Sequence, residues 1–382
     1  MPIRVAVPKE TSAGERRVAL VPEAAARLIK QGFEVRVEQG AGLGAYYADH
    51  LYEAVGAAIV GDAAALWGEA QILCKVQPPT EQEAGLLARG AVLVSFLHAH
   101  RHPAVVTRLC DQGVTAFAME LVPRITRAQS MDALSSQATV AGYKGTLMAA
   151  ELCHRFFPML TTAAGTIRPA RVLVLGAGVA GLQAIATARR LGAMVEAYDV
   201  RHAAREQVES LGAKFLQVEL DAEAEGGYAR ELTEEEKQRE QAMLWRSVEE
   251  ADVVISTAQI PGRDAPRLIS AQMVETMKPG AVVLDLAAES GGNCELTVPG
   301  EQVRHGEVTV CGPLNLPSRL AVHASEMYAK NVSNFAGLLA PAEEEGAMTF
   351  DWDDEILAGS VVTHDGTIRN QAIREMVEGG QS

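Results

Sequence analysis

Three glycines in one segment have the spacing of a turn that can receive a phosphate. Gly176, Gly178 and Gly181 form the pattern G-x-G-x-x-G directly after the apolar, β-branched run Val172–Leu175. The first glycine permits a tight turn, the second lets the backbone approach a pyrophosphate, and the third lets a helix pack close to the strand. The start of that helix offers unpaired N–H groups and a positive dipole end. The predicted cofactor-contacting residues of this turn are Gly176, Gly178, Val179, Ala180 and Gly181.

An acidic residue follows at the distance that such a site requires. A second strand pattern, Met194–Tyr198, ends at Asp199, 18 residues after Gly181. A carboxylate here can accept hydrogen bonds from the hydroxyls of the adenine ribose and would repel a 2′-phosphate, which favours NAD(H) over NADP(H). Arg201 could instead serve a 2′-phosphate, and both residues are predicted to contact the cofactor. The alternative for the whole motif is a glycine-rich turn that only packs.

A second loop is expected to line the nicotinamide side of the cofactor. The segment Thr257–Gly262, TAQIPG, leaves the carboxyl end of the strand pattern Asp252–Ser256. Open α/β sheets bind ligands at this end of their strands. Ala258 and Gln259 are therefore predicted to contact the cofactor. The alternative is a Pro-Gly turn without a ligand.

An acidic segment precedes that strand. Residues 221–240 hold eight acidic and three basic residues around Gly226-Gly227-Tyr228. The charge and the glycine pair predict an exposed, mobile loop, in which Gly227 and Tyr228 could fold over a bound cofactor. The alternative is a solvated helix with a flexible lead-in.

Length, charge and composition exclude several classes of protein. At ~150 residues per domain, 382 residues predict two or three domains. A net charge of −15 disfavours partners rich in phosphate, nucleic acid and anionic lipid included. No window approaches ~18 uninterrupted apolar residues, so direct membrane insertion is not expected, and no signal peptide is recognised. Five scattered cysteines without a CxxC spacing predict free thiols and no metal site.

Strand and helix patterns alternate in two blocks, one in the first third of the chain and one from Arg171 to about Cys311. This alternation predicts mostly parallel sheets with helices on both faces. Long helical patterns cover Met131–Phe157 and Ser318–Leu339. The predicted fold is α/β, with two Rossmann-like, doubly wound parallel-sheet domains joined by long helices around a cleft. Residues 1–138 with 320–382 would form the outer domain, and 139–319 the NAD(H)-binding domain.

The whole chain resembles the alanine dehydrogenase/pyridine nucleotide transhydrogenase family. The resemblance rests on VAVPKE with ERRVAL, ILCKVQPP, the glycine motif, TAQIPG, KPGAVVLDLA with GGNC, and NLPSR at Asn315–Arg319. Three features are similar to the transhydrogenase branch in particular. These are the segment Val122–Tyr143, the loop with Gly226–Tyr228, and Glu289, where alanine dehydrogenases carry a catalytic Asp.

The resemblance implies a catalytic set in the segment Val122–Tyr143. The transhydrogenase branch has a loop there in which an Arg, a Gln and an Asp position the nicotinamide. The matching residues are Arg124, Gln129 and Asp132, with Ser135 nearby. Gln129 offers a donor and an acceptor to a carboxamide, and Arg124 could pair with Asp132 or hold the carboxamide through a mediating group. The alternative is a structural turn and helix cap, because SMDALSSQ is rich in capping residues.

L-Alanine dehydrogenase is the alternative function. In those enzymes an Arg and a Lys hold the substrate carboxylate and carbonyl, and a His acts in acid/base catalysis. Arg17, Lys75 and His98 match these positions. The favoured interpretation gives His98 no catalytic task, because its partner Asp is absent. A third alternative is a non-catalytic NAD-sensing module.

The resemblance implies an NAD(H)-binding subunit of a proton-translocating transhydrogenase. Such a subunit transfers hydride between NADH and NADP⁺ held on a partner subunit, coupled to proton translocation. This chain has one dinucleotide motif and no membrane span, so the NADP(H) site and the proton path are expected on partner subunits. The family also implies a homodimer, located at the cytoplasmic face of the inner membrane through those partners.

Overall fold

The computed structural model describes residues 2–217, 234–260, 263–339, 348 and 350–379. Contacts between residues divide the chain into two compact units. The first unit comprises Met1–Gln137 with Pro317–Ser382, and the second unit comprises Ala138–Leu316. Strands and helices are numbered below along the whole chain.

An eight-stranded sheet forms the centre of the first unit. Its strands are β1 (Arg4–Val7), β2 (Glu34–Glu38), β3 (Ala58–Val60), β4 (Ile72–Cys74), β5 (Val92–Ser95), β6 (Thr115–Ala118), β16 (Val361–His364) and β17 (Thr367–Ile368). Their order is β17-β16-β6-β5-β4-β1-β2-β3. Strands β1 to β6 are parallel, and β16 and β17 are antiparallel additions. Strands β4, β5 and β6 are buried along their whole length, which explains their continuous apolar patterns.

Alternate residues of these strands enter two separate hydrophobic cores. Val5 and Val7 of β1 belong to one core, whereas Ala6 belongs to the other. Because side chains alternate across a strand, both faces of the sheet are covered by helices. The helices of this unit are α1 (Pro22–Lys30), α2 (Asp49–Glu53), α3 (Ala63–Glu69), α4 (Glu81–Ala84), α5 (Pro103–Asp111), α11 (Ala321–Gly337), α12 (Glu355–Ser360) and α13 (Gln371–Gly379).

The second unit is built on a seven-stranded sheet. Its strands are β9 (Arg171–Leu175), β10 (Met194–Tyr198), β11 (Lys214–Phe215), β12 (Val253–Ser256), β13 (Val282–Asp285), β14 (Gln302–His305) and β15 (Val308–Cys311). The order is β11-β10-β9-β12-β13-β15-β14, and only β14 runs antiparallel to its neighbour. The helices are α7 (Val179–Arg190), α8 (Ala204–Ser210), α9 (Glu234–Glu250) and α10 (Ala271–Glu275). A separate hairpin consists of β7 (Leu160–Thr162) and β8 (Gly165–Ile167).

Both sheets wind outward from a central pair of strands in opposite directions. The chain order reverses between β1 and β4 in the first sheet and between β9 and β12 in the second. The predicted fold class, with two doubly wound, mostly parallel sheets, is therefore confirmed. The carboxyl ends of strands at such a reversal form the crevice in which open α/β sheets bind ligands. The glycine turn follows β9 and the TAQIPG segment follows β12, so both predicted cofactor segments leave the sheet at its reversal.

The long helix α6 (Ala133–Leu152) is shorter than its sequence pattern suggests. A 3-10 turn, Thr126–Met131, precedes it, and it ends five residues before the predicted end at Phe157. Pro158 disfavours helical backbone at the residue before it. Arg155 forms an ion pair with Asp252 at 3.1 Å, which holds the chain away from the helix axis. Among the described helices, none is long and apolar enough to cross a bilayer.

Two glycines of α6 allow close packing within the second unit. A Cβ atom at Gly142 would lie 2.2 Å from the carbonyl oxygen of Ala180, in the first turn of α7. A Cβ atom at Gly145 would lie 2.8 Å from the side chain of Leu286. The backbone of α6 therefore touches the start of α7 directly, and these glycines are required by packing.

Gly142→Ala should destabilise the second unit by about 1–3 kcal/mol, because the added methyl group meets rigid backbone. Gly359→Ala is the matched control, since that helical glycine has no neighbour closer than 3.4 Å. The control should be neutral or slightly stabilising. Urea unfolding of the purified chain measures both effects, and equal stability of the two variants would contradict the close contact.

Candidate functional site

The three glycines of the motif are required for different reasons. Gly176 has a φ of +95°, and a Cβ there would lie 2.8 Å from Thr257 Oγ1. A Cβ at Gly181 would lie 1.9 Å from the Gly176 carbonyl oxygen. At Gly178 a Cβ would meet no protein atom within 4 Å. The outer glycines thus serve the turn itself, while the open space at Gly178 is what close approach of a ligand requires.

The start of α7 is available to an anion. Within the described part of the chain, no side chain caps this helix, whose N-cap residue is Gly178. The helix has 12 residues, enough for a fixed dipole at its first turn. Val179 is exposed and Ala180 is partly buried, so the N–H groups of this turn border solvent. Together with the room at Gly178, they fit a pyrophosphate.

Asp199 ends β10 beside the glycine turn. Its carboxylate accepts hydrogen bonds from the N–H of Ala177 at 2.7 Å and from the N–H of Arg201 at 2.8 Å. The Arg201 guanidinium donates two further bonds, at 2.9 and 3.0 Å. Burial opposes ionisation of Asp199, but the bonds from Arg201 and Ala177 outweigh it and lower its pKa. The carboxylate is charged at neutral pH, and ribose hydroxyls would have to replace the bonds from Arg201.

Asn293 holds the loop that follows β12. Its Oδ1 accepts from the N–H of Ala258 at 3.0 Å, and its Nδ2 donates to the Ala258 carbonyl at 2.8 Å and to the Pro266 carbonyl at 2.8 Å. The side chain is fully buried. Thr257 Oγ1 donates to the Gly176 carbonyl at 3.0 Å, which links this loop to the glycine turn. Ala258 is thus fixed by both of its backbone polar groups, while Gln259 is exposed.

A second buried side chain fixes the turn that carries Asn293. Asp285, at the end of β13, accepts from the N–H groups of Ala287 and Cys294 and from Thr297 Oγ1, at 2.7 to 3.0 Å. Gly292 has a φ of +84°, and a Cβ there would lie 2.7 Å from Asp285 Oδ2. Sequence reasoning missed Asn293 as a positioning residue. The Gly-Gly-Asn sequence was the available signal, since it indicates a tight turn.

The predicted catalytic set lies together in the first unit. Gln129 belongs to the 3-10 turn Thr126–Met131, and Asp132 directly precedes α6. Asp132 accepts from the N–H of Ser135 at 2.8 Å and from Ser135 Oγ at 2.6 Å. This is the geometry of a helix cap, and it brings Asp132 and Ser135 into one hydrogen-bonded pair.

The other two members of the set are directed to solvent. Arg124 and Gln129 are both exposed. No ion pair joins Arg124 to Asp132 in this described segment, so of the two interactions considered for Arg124 the contact with a ligand remains. Arg127, which the sequence did not single out, donates two hydrogen bonds to Asp354 of α12, at 2.5 and 2.9 Å. The segment therefore presents polar side chains to solvent on a turn that is fixed from outside.

The strand reversal of the first sheet holds buried charges in place of a glycine turn. Lys75 follows β4 and is fully buried, with its Nζ 2.7 Å from Glu10 Oε2 and 4.0 Å from Glu83. Glu10 also accepts from the N–H of Val76 at 2.6 Å. Burial raises the pKa of Glu10 against the opposing charge of Lys75.

A second buried pair lies in the same unit. Arg17 donates to Glu15 from Nε at 2.9 Å and from Nη2 at 2.6 Å. Burial alone would raise the pKa of Glu15, but the hydrogen bonds and charge of Arg17 lower it to about 2. Removal of either partner would leave an uncompensated buried charge. His98 has a φ of +43°, and its N–H donates to Glu120 at 2.6 Å.

Some of the predicted site residues lie outside the described residues. Gly227 and Tyr228 are among them, as are the last two residues of TAQIPG. From Glu234 onward the acidic segment is helical, and Glu240 of α9 accepts a hydrogen bond from Tyr198 Oη at 2.7 Å. Over the ranges that are described, no cluster of His, Cys, Asp and Glu suits a metal ion.

The chain belongs to the alanine dehydrogenase/PNT family, where PNT is pyridine nucleotide transhydrogenase. Residues 6–141 match the N-terminal domain of that family and residues 145–371 match its C-terminal domain. The glycine turn, the start of α7 and Asp199 all fall in the C-terminal match. The family and the site together define a pyridine-nucleotide-binding oxidoreductase.

Within the family the chain is more similar to transhydrogenase subunits. It is 48% identical to an NAD(P) transhydrogenase subunit alpha of Rhodospirillum rubrum, over 97% of this chain and 99% of that one. The crystal structure of a transhydrogenase from Sinorhizobium meliloti superimposes with a TM-score of 0.88 at 44% identity, covering 96% of this chain and 99% of that one. The alanine dehydrogenase of Halomonas elongata is 30% identical over 98% of this chain and 96% of that one.

Asn293→Ala should weaken the binding of reduced pyridine nucleotide about tenfold, because it frees Ala258 and leaves its buried polar groups unpaired. Fluorescence titration of the purified chain with NADH and NADPH measures the dissociation constants. Asn370→Ala is the control, since it removes only a bond to the N–H of Ile373 in the first unit. An equal loss of affinity in both variants would show that Asn293 acts only through stability.

Proposed function

We propose that the chain is the NAD(H)-binding subunit of a proton-translocating transhydrogenase. In this proposal it exchanges hydride between NADH and NADP⁺, the latter held by a partner subunit. The proposal is carried by the geometry of the glycine turn: open space at Gly178, the uncapped start of α7, and the ionised Asp199 within reach of the same turn. The similarity to transhydrogenase alpha subunits supports it.

The cofactor would be held mainly by the second unit, which we propose as the NAD(H)-binding domain with the predicted bounds 139–319. The N–H groups at the start of α7 would bind the pyrophosphate, and Asp199 the adenine ribose. Ala258, fixed by Asn293, would line the nicotinamide side. The nicotinamide supplies the hydride when bound.

The chain's own task in this reaction is to fix the nicotinamide ring. Hydride exchange between two nicotinamides releases no proton at the reacting carbons, so no acid/base group is needed. Exposed Gln129 can donate to and accept from a carboxamide, and Arg124 can contact the same group directly or through water. The Asp132–Ser135 pair holds the start of α6, from which this turn is displayed.

Alanine dehydrogenase activity is less well supported by the charged groups of the first unit. Arg17 and Lys75, which match the carboxylate-holding residues of those enzymes, are paired with Glu15 and Glu10. A substrate carboxylate would have to share these cations with two internal carboxylates. In the second unit, Glu289 accepts a hydrogen bond from the N–H of Asn315 at 2.6 Å.

Partner subunits and a homodimer complete the proposal. The NADP(H) site and the proton path would belong to NADP(H)-binding and membrane-spanning subunits, which would hold the chain at the cytoplasmic face of the inner membrane. The hairpin β7–β8 supports a dimer. Phe156, Met159 and Ile167 on and beside it are 54%, 63% and 45% exposed, and a two-stranded hairpin is marginally stable alone.

Two assays on the purified chain separate the candidate functions. With the NADP(H)-binding partner subunit added, the chain should transfer hydride from NADPH to the acetylpyridine analogue of NAD⁺. With pyruvate and ammonium it should not oxidise NADH. Turnover of pyruvate would favour alanine dehydrogenase and give His98 a catalytic role. NADH binding without activity in either assay would indicate a regulatory module.

Asp199→Ala should weaken NADH binding at least tenfold and bring NADPH affinity closer to that of NADH. The variant loses the ribose acceptor and frees the Arg201 guanidinium to pair with a 2′-phosphate. Parallel fluorescence titrations with the two nucleotides measure the change. Arg205→Ala, which breaks only an exposed pair with Glu209, is the control. Unchanged affinity for both nucleotides in Asp199→Ala would sink the assignment.

A further inference from the structure

One side chain joins the two ends of the segment that carries the predicted catalytic set. Asn331 of α11 donates from Nδ2 to the carbonyl of Ser130 at 2.9 Å, and its Oδ1 accepts from Ser136 Oγ at 2.7 Å. Ser130 directly follows Gln129, and Ser136 directly follows Ser135. Asn331 is 7% exposed, so both bonds are shielded from water.

The amide of Asn331 has one orientation that satisfies both partners. A carbonyl oxygen can only accept, so Nδ2 must face Ser130. The oxygen of the amide then faces the hydroxyl of Ser136, whose contact with Asn331 is shorter than its 3.0 Å contact with the carbonyl of Ala133. A side chain with both a donor and an acceptor at this spacing is required, and asparagine supplies it.

The buried ion pair of the first unit fixes this arrangement from behind. Arg17 donates from Nη1 to Gln137 Oε1 at 2.9 Å. Gln137 Nε2 must therefore face the other way, where it donates to Ser136 Oγ and to the carbonyl of Ala324, both at 3.1 Å. A continuous chain of hydrogen bonds thus leads from the Glu15–Arg17 pair through Gln137 and Ser136 to Asn331.

A neighbouring asparagine makes half of the same contact. Asn334, one turn further along α11, donates to the same Ser130 carbonyl at 3.2 Å. It is partly exposed, and no hydrogen bond joins it to Ser136 within this described helix and turn. The two asparagines therefore differ in one respect that matters here: Asn331 ties both ends of the segment, and Asn334 ties one.

We propose that Asn331 is a positioning residue for hydride transfer, an inference that rests on the proposed function. By holding Ser130 and Ser136 at a fixed separation, it sets the position of Gln129 relative to the Asp132–Ser135 pair. Asn331 itself is buried and acts only through these neighbours. Transfer between two rings is steeply sensitive to their placement, and an error of about 1 Å can cost on the order of 10²-fold in rate.

The test compares variants of the full chain in complex with its NADP(H)-binding partner subunit. Asn331→Ala should lower the rate of hydride transfer from NADPH to the acetylpyridine analogue of NAD⁺ by roughly 10- to 100-fold. NADH affinity should stay within about twofold, because the dinucleotide turn belongs to the second unit. The isotope effect with NADPH deuterated at the transferred position should increase. Asn334→Ala should lower the rate by less than about threefold, since Ser130 keeps its other donor.

Two further variants protect the test against a general loss of folding. Asn331→Asp keeps the size and the acceptor but loses the donor to Ser130, and should also slow transfer. Ser136→Ala removes the partner at the other end. If the clasp acts as a unit, the double variant with Asn331→Ala should be no slower than Asn331→Ala alone.

The outcomes distinguish this inference from the proposed function. A rate for Asn331→Ala equal to that of Asn334→Ala, or a loss of NADH affinity in proportion to the rate, overturns the positioning role. Additive effects of Asn331→Ala and Ser136→Ala overturn it as well. If the unaltered chain transfers no hydride with its partner subunit, the proposed function fails instead.

Discussion

The second unit depends on a close approach of backbone at the start of α7. Strand β9, helix α7 and helix α6 meet at Gly176, Gly181 and Gly142, where a Cβ atom would lie within 2.8 Å of a neighbouring group. These contacts leave the N–H groups at the start of α7 uncapped by any described side chain, at the reversal of the sheet. The phosphate site proposed there is a consequence of that packing, since the same glycines that close the turn also aim the helix.

The two sheets share a strand order and carry different chemistry at the same place. The second sheet has a glycine turn and backbone donors at its reversal, whereas the first has the buried pair of Lys75 and Glu10. A fold of this class therefore fixes where a ligand can bind, and the residues at that place decide which ligand. In the first unit, the charges are satisfied internally, and with the Glu15–Arg17 pair they form a rigid base for α6.

Capping and positioning are compatible roles for the predicted catalytic set. Asp132 and Ser135 cap α6, and the same bonds fix the turn that exposes Gln129 and Arg124. A reaction without proton transfer at the reacting carbons gains from rigid placement more than from a perturbed pKa. This accounts for a site composed of exposed amide and guanidinium groups on a firmly held turn.

The sequence by itself determined the parts of the protein that depend on neighbours along the chain. The fold class, strand β9, the turn at Gly176 and helix α7 follow from local pattern and from the space a glycine leaves. Asp199 could be placed because it ends the next strand. Only the tertiary structure decided the roles of Asn293 and Asn331, the pairing of Asp199 with Arg201, and the end of α6 at Leu152. The hydrogen bonds of Asn331 reach residues 195 and 201 positions away, and an asparagine in a helix looks the same in sequence whether it is solvated or buried as a clasp. Long-range hydrogen bonds leave no periodic signal, because they depend on where the fold brings distant segments together.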